Sequence, residues 1–179
     1  MDHPKPGARI GAFLLRAESG TAGGLIAAVV VAVLFFVQGA ITLHPLSVPA
    51  GLASGLFGGA DSSGTGFFGR AGTDVAMGFE VVAYTVVHLL VFAAVGASAV
   101  LVVDSSTFWR SVIGGIAYAG ATCTGLLYLV RWTVSTPVAL DVVGLPRVLM
   151  ANAVAGAIIG VSLHLAERET RRGRVAARR

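Results

Sequence analysis

Charge is scarce in this sequence. Only 12% of its 179 residues are charged, 55% are hydrophobic and the mean hydropathy is +0.83. Soluble globular domains carry about twice that share of charge, so the chain cannot dissolve as one and lipid must be its solvent. Cysteine is nearly absent. The single Cys123 excludes an intramolecular disulfide, a CxxC redox pair and a cysteine-rich metal site, and is expected to be a small packing residue. Neither HxxxH nor HExxH occurs, and Glu80 and His88 stand two helical turns apart, too far to ligate one metal together. No serine or cysteine within an apolar run has a base at helical spacing beside it, and no GKS phosphate loop exists. No cofactor is expected.

What is present is apolar sequence in lengths that match a bilayer. One crossing needs about 20 mostly apolar residues. Four stretches qualify: Gly23 to Leu43, Gly78 to Val103, Ser111 to Val130 and Val148 to Leu165. The fold class this predicts is all-α, an integral membrane four-helix bundle. It divides into an N-terminal segment 1–22, a transmembrane domain 23–165 with loops 44–77 and 131–147 on the outer side, and a basic tail 166–179. Lys5, Arg9 and Arg16 ahead of the first run give it the look of a signal peptide. That run is longer than a signal core and lacks a small-residue cleavage site, so a retained helix is expected.

The cations set the orientation. Lys5, Arg9 and Arg16 lie at one end of the chain, and Arg168, Arg171, Arg172, Arg174, Arg178 and Arg179 at the other. Positive charge stays on the cytoplasmic side, so both termini are expected inside, N-in and C-in, which requires an even number of spans. Trp109 beside Arg110 and Trp132 beside Arg131 bracket the third span as interface anchors. The net charge of +4 resides mainly in the tail, where no aromatic residue is interleaved to stack on bases. Nucleic acid is therefore not an expected partner. Anionic lipid headgroups are, since a juxtamembrane arginine gains about 1 kcal/mol near such a surface.

Small residues mark where helices can meet. Lipid tails are as apolar as leucine, so close approach of backbones is what draws spans together. Gly156 and Gly160 form a GxxxG pair, and Ala117, Ala121 and Gly125 form a stripe on the third span. Gly24, Ala28 and Ala32 do so on the first, and Ala93 with Ala97 on the second. Such faces suit packing within the chain, self-association or docking on other membrane proteins.

Polar side chains within the spans are the remaining clue. Glu80, Tyr84 and His88 recur every four residues and share one helix face, with Tyr84 about 6 Å and His88 about 12 Å deeper than Glu80. Gln38 and Asn152 reach comparable depth from the outer side, so these five form a candidate intramembrane site. Ionisable groups in a membrane are costly and usually face the bundle interior or water. One reading is a proton-carrying or small-ligand site with His88 as its titrating group. The other is a hydrogen-bonded cluster that locks helix register, with Glu80 snorkelling to the surface. Haem between histidines fails on depth, because His44 and His164 lie about 10 Å or more along the membrane normal from His88.

The order of a first span, the loop Pro49-Ala50-Gly51-Leu52-Ala53-Ser54-Gly55-Leu56-Phe57-Gly58, a second span with His88 eight residues before Gly96, a glycine-rich third span and Gly156 with Gly160 in the fourth resembles a broad group of uncharacterised bacterial four-helix inner-membrane proteins. The resemblance implies a bacterial inner membrane and this fold, and no activity. The group's histidine would be His88. Three functional readings follow from the sequence: a non-enzymatic accessory or structural subunit, a small transporter or proton conductor using Glu80, Tyr84 and His88, and a redox-complex subunit binding quinone or haem.

Overall fold

A computed structural model describes residues 6–41, 73–133 and 143–176. Among them are four α-helices: α1 (Pro6–Ile41), α2 (Thr73–Ala99), α3 (Phe108–Thr133) and α4 (Leu145–Ala176). Each is long and apolar enough to cross a membrane.

The helix ends follow from local chemistry. Pro6 opens α1, where its missing N–H costs nothing and its fixed φ suits the first turn. The N-terminal segment ahead of Gly23 is therefore helical from Pro6, because nothing between Pro6 and Ile41 breaks the backbone ladder. At 1.5 Å per residue α1 is about 54 Å long and α4 about 48 Å, both well beyond a hydrocarbon core of about 30 Å. The tail is likewise helical to Ala176. Conversely α2 stops at Ala99, short of the expected Val103, and unwinds through turns that pair Leu101 N–H with the Ser98 carbonyl and Val103 N–H with that of Ala99. Gly144 has φ +86°, a left-handed backbone that L-residues rarely adopt, and its carbonyl accepts the Val148 N–H to start α4. Of the loop 44–77 expected on the outer side, residues 44–72 lie outside the described residues, and α2 already begins at Thr73.

The helices pair as two antiparallel hairpins, α1 with α2 and α3 with α4, and α1 also packs along α4 while α2 and α3 touch only lightly. In the first hairpin Gly20 meets Gly96, Gly24 meets Phe92 and Ala28 meets His88. Each four-residue step along α1 thus matches a four-residue step back along α2. The contact is backbone on backbone: a Cβ on Gly20 would run into the Gly96 carbonyl, and one on Gly24 into that of Phe92. In the second hairpin a Cβ on Gly156 would strike the Gly115 carbonyl, and one on Gly160 that of Ser111. Ser111 reinforces this crossing by donating its buried hydroxyl to the Gly160 carbonyl at 2.6 Å. Gly23 turns to the other side of α1, where a Cβ would lie 2.7 Å from the Ser162 Cβ of α4. Adjacent glycines on α1 therefore serve two neighbours, and α1 and α4 are the two inner helices.

Not every small stripe is used in this way. Ala117, Ala121 and Gly125 face outward, and a Cβ on Gly125 would meet nothing within 4 Å. The α3 stripe that meets α4 is Ser111, Gly115, Ala119 and Cys123. Two residues separate these stripes, about 200° around the helix, so only one can face α4. On α2 the contact residue is Gly96 rather than Ala97, and on α1 Ala32 is exposed while Ala27, Ala28 and Val31 are buried. Between the hairpins the core fills with Ala27, Phe92, Val95, Ala119, Ala155 and Ile159, which form one cluster. Large apolar side chains such as Leu25, Val33 and Leu90 are exposed on the outside of the bundle.

Candidate functional site

His88 donates a ring N–H to the Ala28 carbonyl across the α1–α2 contact, with Nε2 3.2 Å from the oxygen. A carbonyl can only accept, so this bond puts the proton on Nε2. The ring is held from both sides along its own helix. Tyr84 stacks on it at 5.8 Å between centroids, and Phe92 tilts against it at 4.7 Å. Tyr84 in turn packs on Val143 and Val148 at the start of α4, with Phe35 beside it. The four-residue spacing of Tyr84, His88 and Phe92 is what lines up the three rings.

The other expected site residues do not join them. Asn152 is buried and donates its amide to the Thr124 hydroxyl at 3.3 Å across the α3–α4 contact. Gln38 is half-buried near the end of α1, about 15 Å along the helix from Ala28. The side chain of Glu80 lies outside the described residues. Of the expected residues whose side chains are described, Tyr84 and His88 therefore lie together, whereas Asn152 bonds at the α3–α4 seam. Other hydroxyls close on their own helices, among them Thr21 on the Ala17 carbonyl and Thr85 on that of Val81. Ser98 also bonds the Tyr118 hydroxyl at 2.8 Å, where α2 and α3 touch.

A second polar cluster, not anticipated from the sequence, sits at the end of the bundle nearest both termini. It joins α1, α4 and the connection between α2 and α3. Arg16 donates from Nη2 to the buried Ser105 hydroxyl at 2.7 Å, and its Nε lies 3.8 Å from a Glu167 oxygen. Glu167 accepts from Arg171 Nε at 3.0 Å with its other oxygen. His164 donates to the Ser105 carbonyl, 3.3 Å from Nδ1, and meets the Phe108 ring edge-on. Nearby, exposed Asp104 accepts the Ser106 N–H at 2.9 Å and pairs with Arg110 at 3.3 Å. The Ser106 N–H foremost, then its hydroxyl and Arg110, hold the Asp104 carboxyl below the usual carboxylate range.

A signal for this cluster was available. His164 and Glu167 are three residues apart, which puts both on one face of α4. Arg16 pairs with them only through the fold. Gly64-Thr65-Gly66-Phe67-Phe68-Gly69 fits the spacing GxGxxG, but those residues lie outside the described ones. The dinucleotide reading of that spacing also needs a preceding strand, and no strand occurs among the described residues. Among the described residues no group of three or more His, Cys, Asp or Glu could hold a metal ion.

Comparison with protein families, with curated proteins and with solved structures finds no significant match. His88 and Asn152 each serve one helix seam, and the cluster around Arg16 and Ser105 ties the two hairpins together at one end.

Proposed function

We propose that this chain is a non-enzymatic, multi-pass protein of a bacterial inner membrane, with both termini cytoplasmic, that works as an accessory or structural subunit by packing against other membrane proteins or itself. The observation that carries the reading is the bond from His88 to the Ala28 carbonyl. The most deeply placed ionisable group of α2 spends its donor on a neighbouring backbone, wedged between two aromatic rings at a glycine-lined seam. A polar residue so placed fixes register, as interhelical hydrogen bonds in membranes do. The outward stripe of Ala117, Ala121 and Gly125 offers the surface, since small residues let another helix approach closely. The terminal arginines and the resemblance to bacterial four-helix membrane proteins support the location, and the same arginines suit anionic headgroups.

The test is the hydrodynamic mass of the protein purified in mild detergent. The expected result is an oligomer or a defined complex that Ala121→Leu releases, with the melting temperature of the bundle unchanged. A wild-type chain that runs as a lone monomer, in detergent and in lipid discs alike, would sink the proposal. The competing reading, proton conduction through Glu80, Tyr84 and His88, draws on the stacking of Tyr84 on His88. It predicts proton flux into liposomes under an imposed potential that His88→Gln abolishes.

A further inference from the structure

Glu167 stands between two arginines and satisfies only one. Its Oε1 accepts Arg171 Nε at 3.0 Å, while Oε2 stops 3.8 Å from Arg16 Nε, outside hydrogen-bond range. That Arg16 Nε is buried and has no hydrogen-bond partner. A buried donor without an acceptor bears its whole desolvation penalty. Arg16 cannot swing elsewhere to relieve it, because Nη2 is anchored on the buried Ser105 hydroxyl. Arg171 is the looser partner: its side chain is 57% exposed, against 28% for Arg16, and pairs four residues apart on an exposed helix face are weak. Arg168 and Arg172 flank it on the exposed side of α4. Guanidinium groups in that setting favour a phosphate, which they grip through two parallel hydrogen bonds.

We propose that Glu167 is a two-way acceptor coupling the Arg-rich end of α4 to the bundle: Arg171 holds it in the absence of anionic lipid, and it closes onto Arg16 when a lipid phosphate draws Arg171 away. This rests on the reading that the termini lie at the inner leaflet. Closure completes the hydrogen bonding of Arg16 and tightens the junction of α1, α4 and the α2–α3 connection. The composition of the leaflet is thereby felt where the two hairpins join.

Hydrogen exchange of the backbone amides around Arg16 in α1 and around Glu167 in α4, measured in lipid discs, tests this. Exchange is expected to slow about tenfold when phosphatidylcholine discs are given one-third phosphatidylglycerol, the lower end for a hydrogen bond to a charged group. Arg171→Met should show the slow rate already in phosphatidylcholine and no further response, and Glu167→Gln the fast rate in both. An Arg171→Met chain that still responds like wild type would overturn the proposal. So would inorganic phosphate giving the same protection in phosphatidylcholine discs, which would assign the ligand to soluble phosphate. A fluorophore on Gly173→Cys in a Cys123→Ala background, with an acceptor-labelled headgroup, reports tail contact separately. No contact defeats the inner-leaflet reading and the switch together; contact without an exchange response defeats the switch alone.

Discussion

The bond from the His88 ring to the Ala28 carbonyl crosses a helix seam, yet it is worth little. Interhelical hydrogen bonds in membranes contribute about 0.6 kcal/mol, with an upper end near 1.7, because the unfolded chain in lipid also finds partners. His88→Leu is therefore expected to lower stability by about that amount in a detergent-denaturation titration, and His88→Gln, which can still donate, to be nearly silent. A loss above about 3 kcal/mol for His88→Gln would mean that the ring does something a neutral amide cannot. Asp104 supplies a pH dependence of known sign. Its carboxyl is held below its ordinary value, so the stability it contributes is complete above the unfolded carboxylate pKa of about 3.9 and is lost as pH falls through the folded one. Thermal melts of wild type and Asp104→Asn should differ by a constant amount from pH 7 down to about pH 5 and converge only in stronger acid. Convergence already at pH 6 would show that another group carries the effect.

Helix seams are decided by which small residues face which neighbour. Gly156 and Gly160 meet backbone atoms of Gly115 and Ser111, so Gly156→Leu or Gly160→Leu must force α3 and α4 apart, whereas Ile158→Leu only reshapes a half-buried apolar side chain. Loss of folded protein is expected for either glycine variant and not for Ile158→Leu, read from the monodisperse fraction after extraction. Equal yields of all three would remove the seam from the account. The GxxxG pair was legible because its spacing repeats on one face whatever the partner. The partner face on α3 was not. Ser111, Gly115 and Ala119 recur with the same four-residue step as Ala117 and Ala121, and the match of Ser111 to the Gly160 carbonyl and of Gly115 to Gly156 separates the two only once the helices are packed. The same limit hid the Arg16 cluster, since ion pairs between α1 and α4 depend on where two long helices come level. It also made Gln38 and Asn152 appear to share a site, because similar distances from a helix end say nothing about direction around the axis.

For the whole molecule, length and hydropathy alone carried the class, because four long apolar runs leave a bilayer few alternatives. Helix ends were less legible: α1 and α4 run past the apolar stretches, through Gly7, Gly11 and Gly173, because hydropathy marks where lipid can begin and not where the backbone ladder stops. Trp109 and Trp132 stand about 35 Å apart along α3, a separation that fits two interfaces flanking a core of about 30 Å. The proposed topology, with the basic ends inside, predicts that a C-terminal reporter that works only in the cytoplasm is active, and activity of a periplasm-only reporter would break it. The division into hairpins also bears on how the chain is made. Gly20, Gly24, His88 and Gly96 complete their contacts within the first half of the polypeptide, so α1 and α2 can close on each other while α3 is still in the ribosome. The second half then arrives as another self-sufficient pair. Biogenesis becomes the docking of two finished pieces along α1 and α4, with Ser105, the last buried residue before α3, joining them through Arg16 and His164 once α4 has emerged.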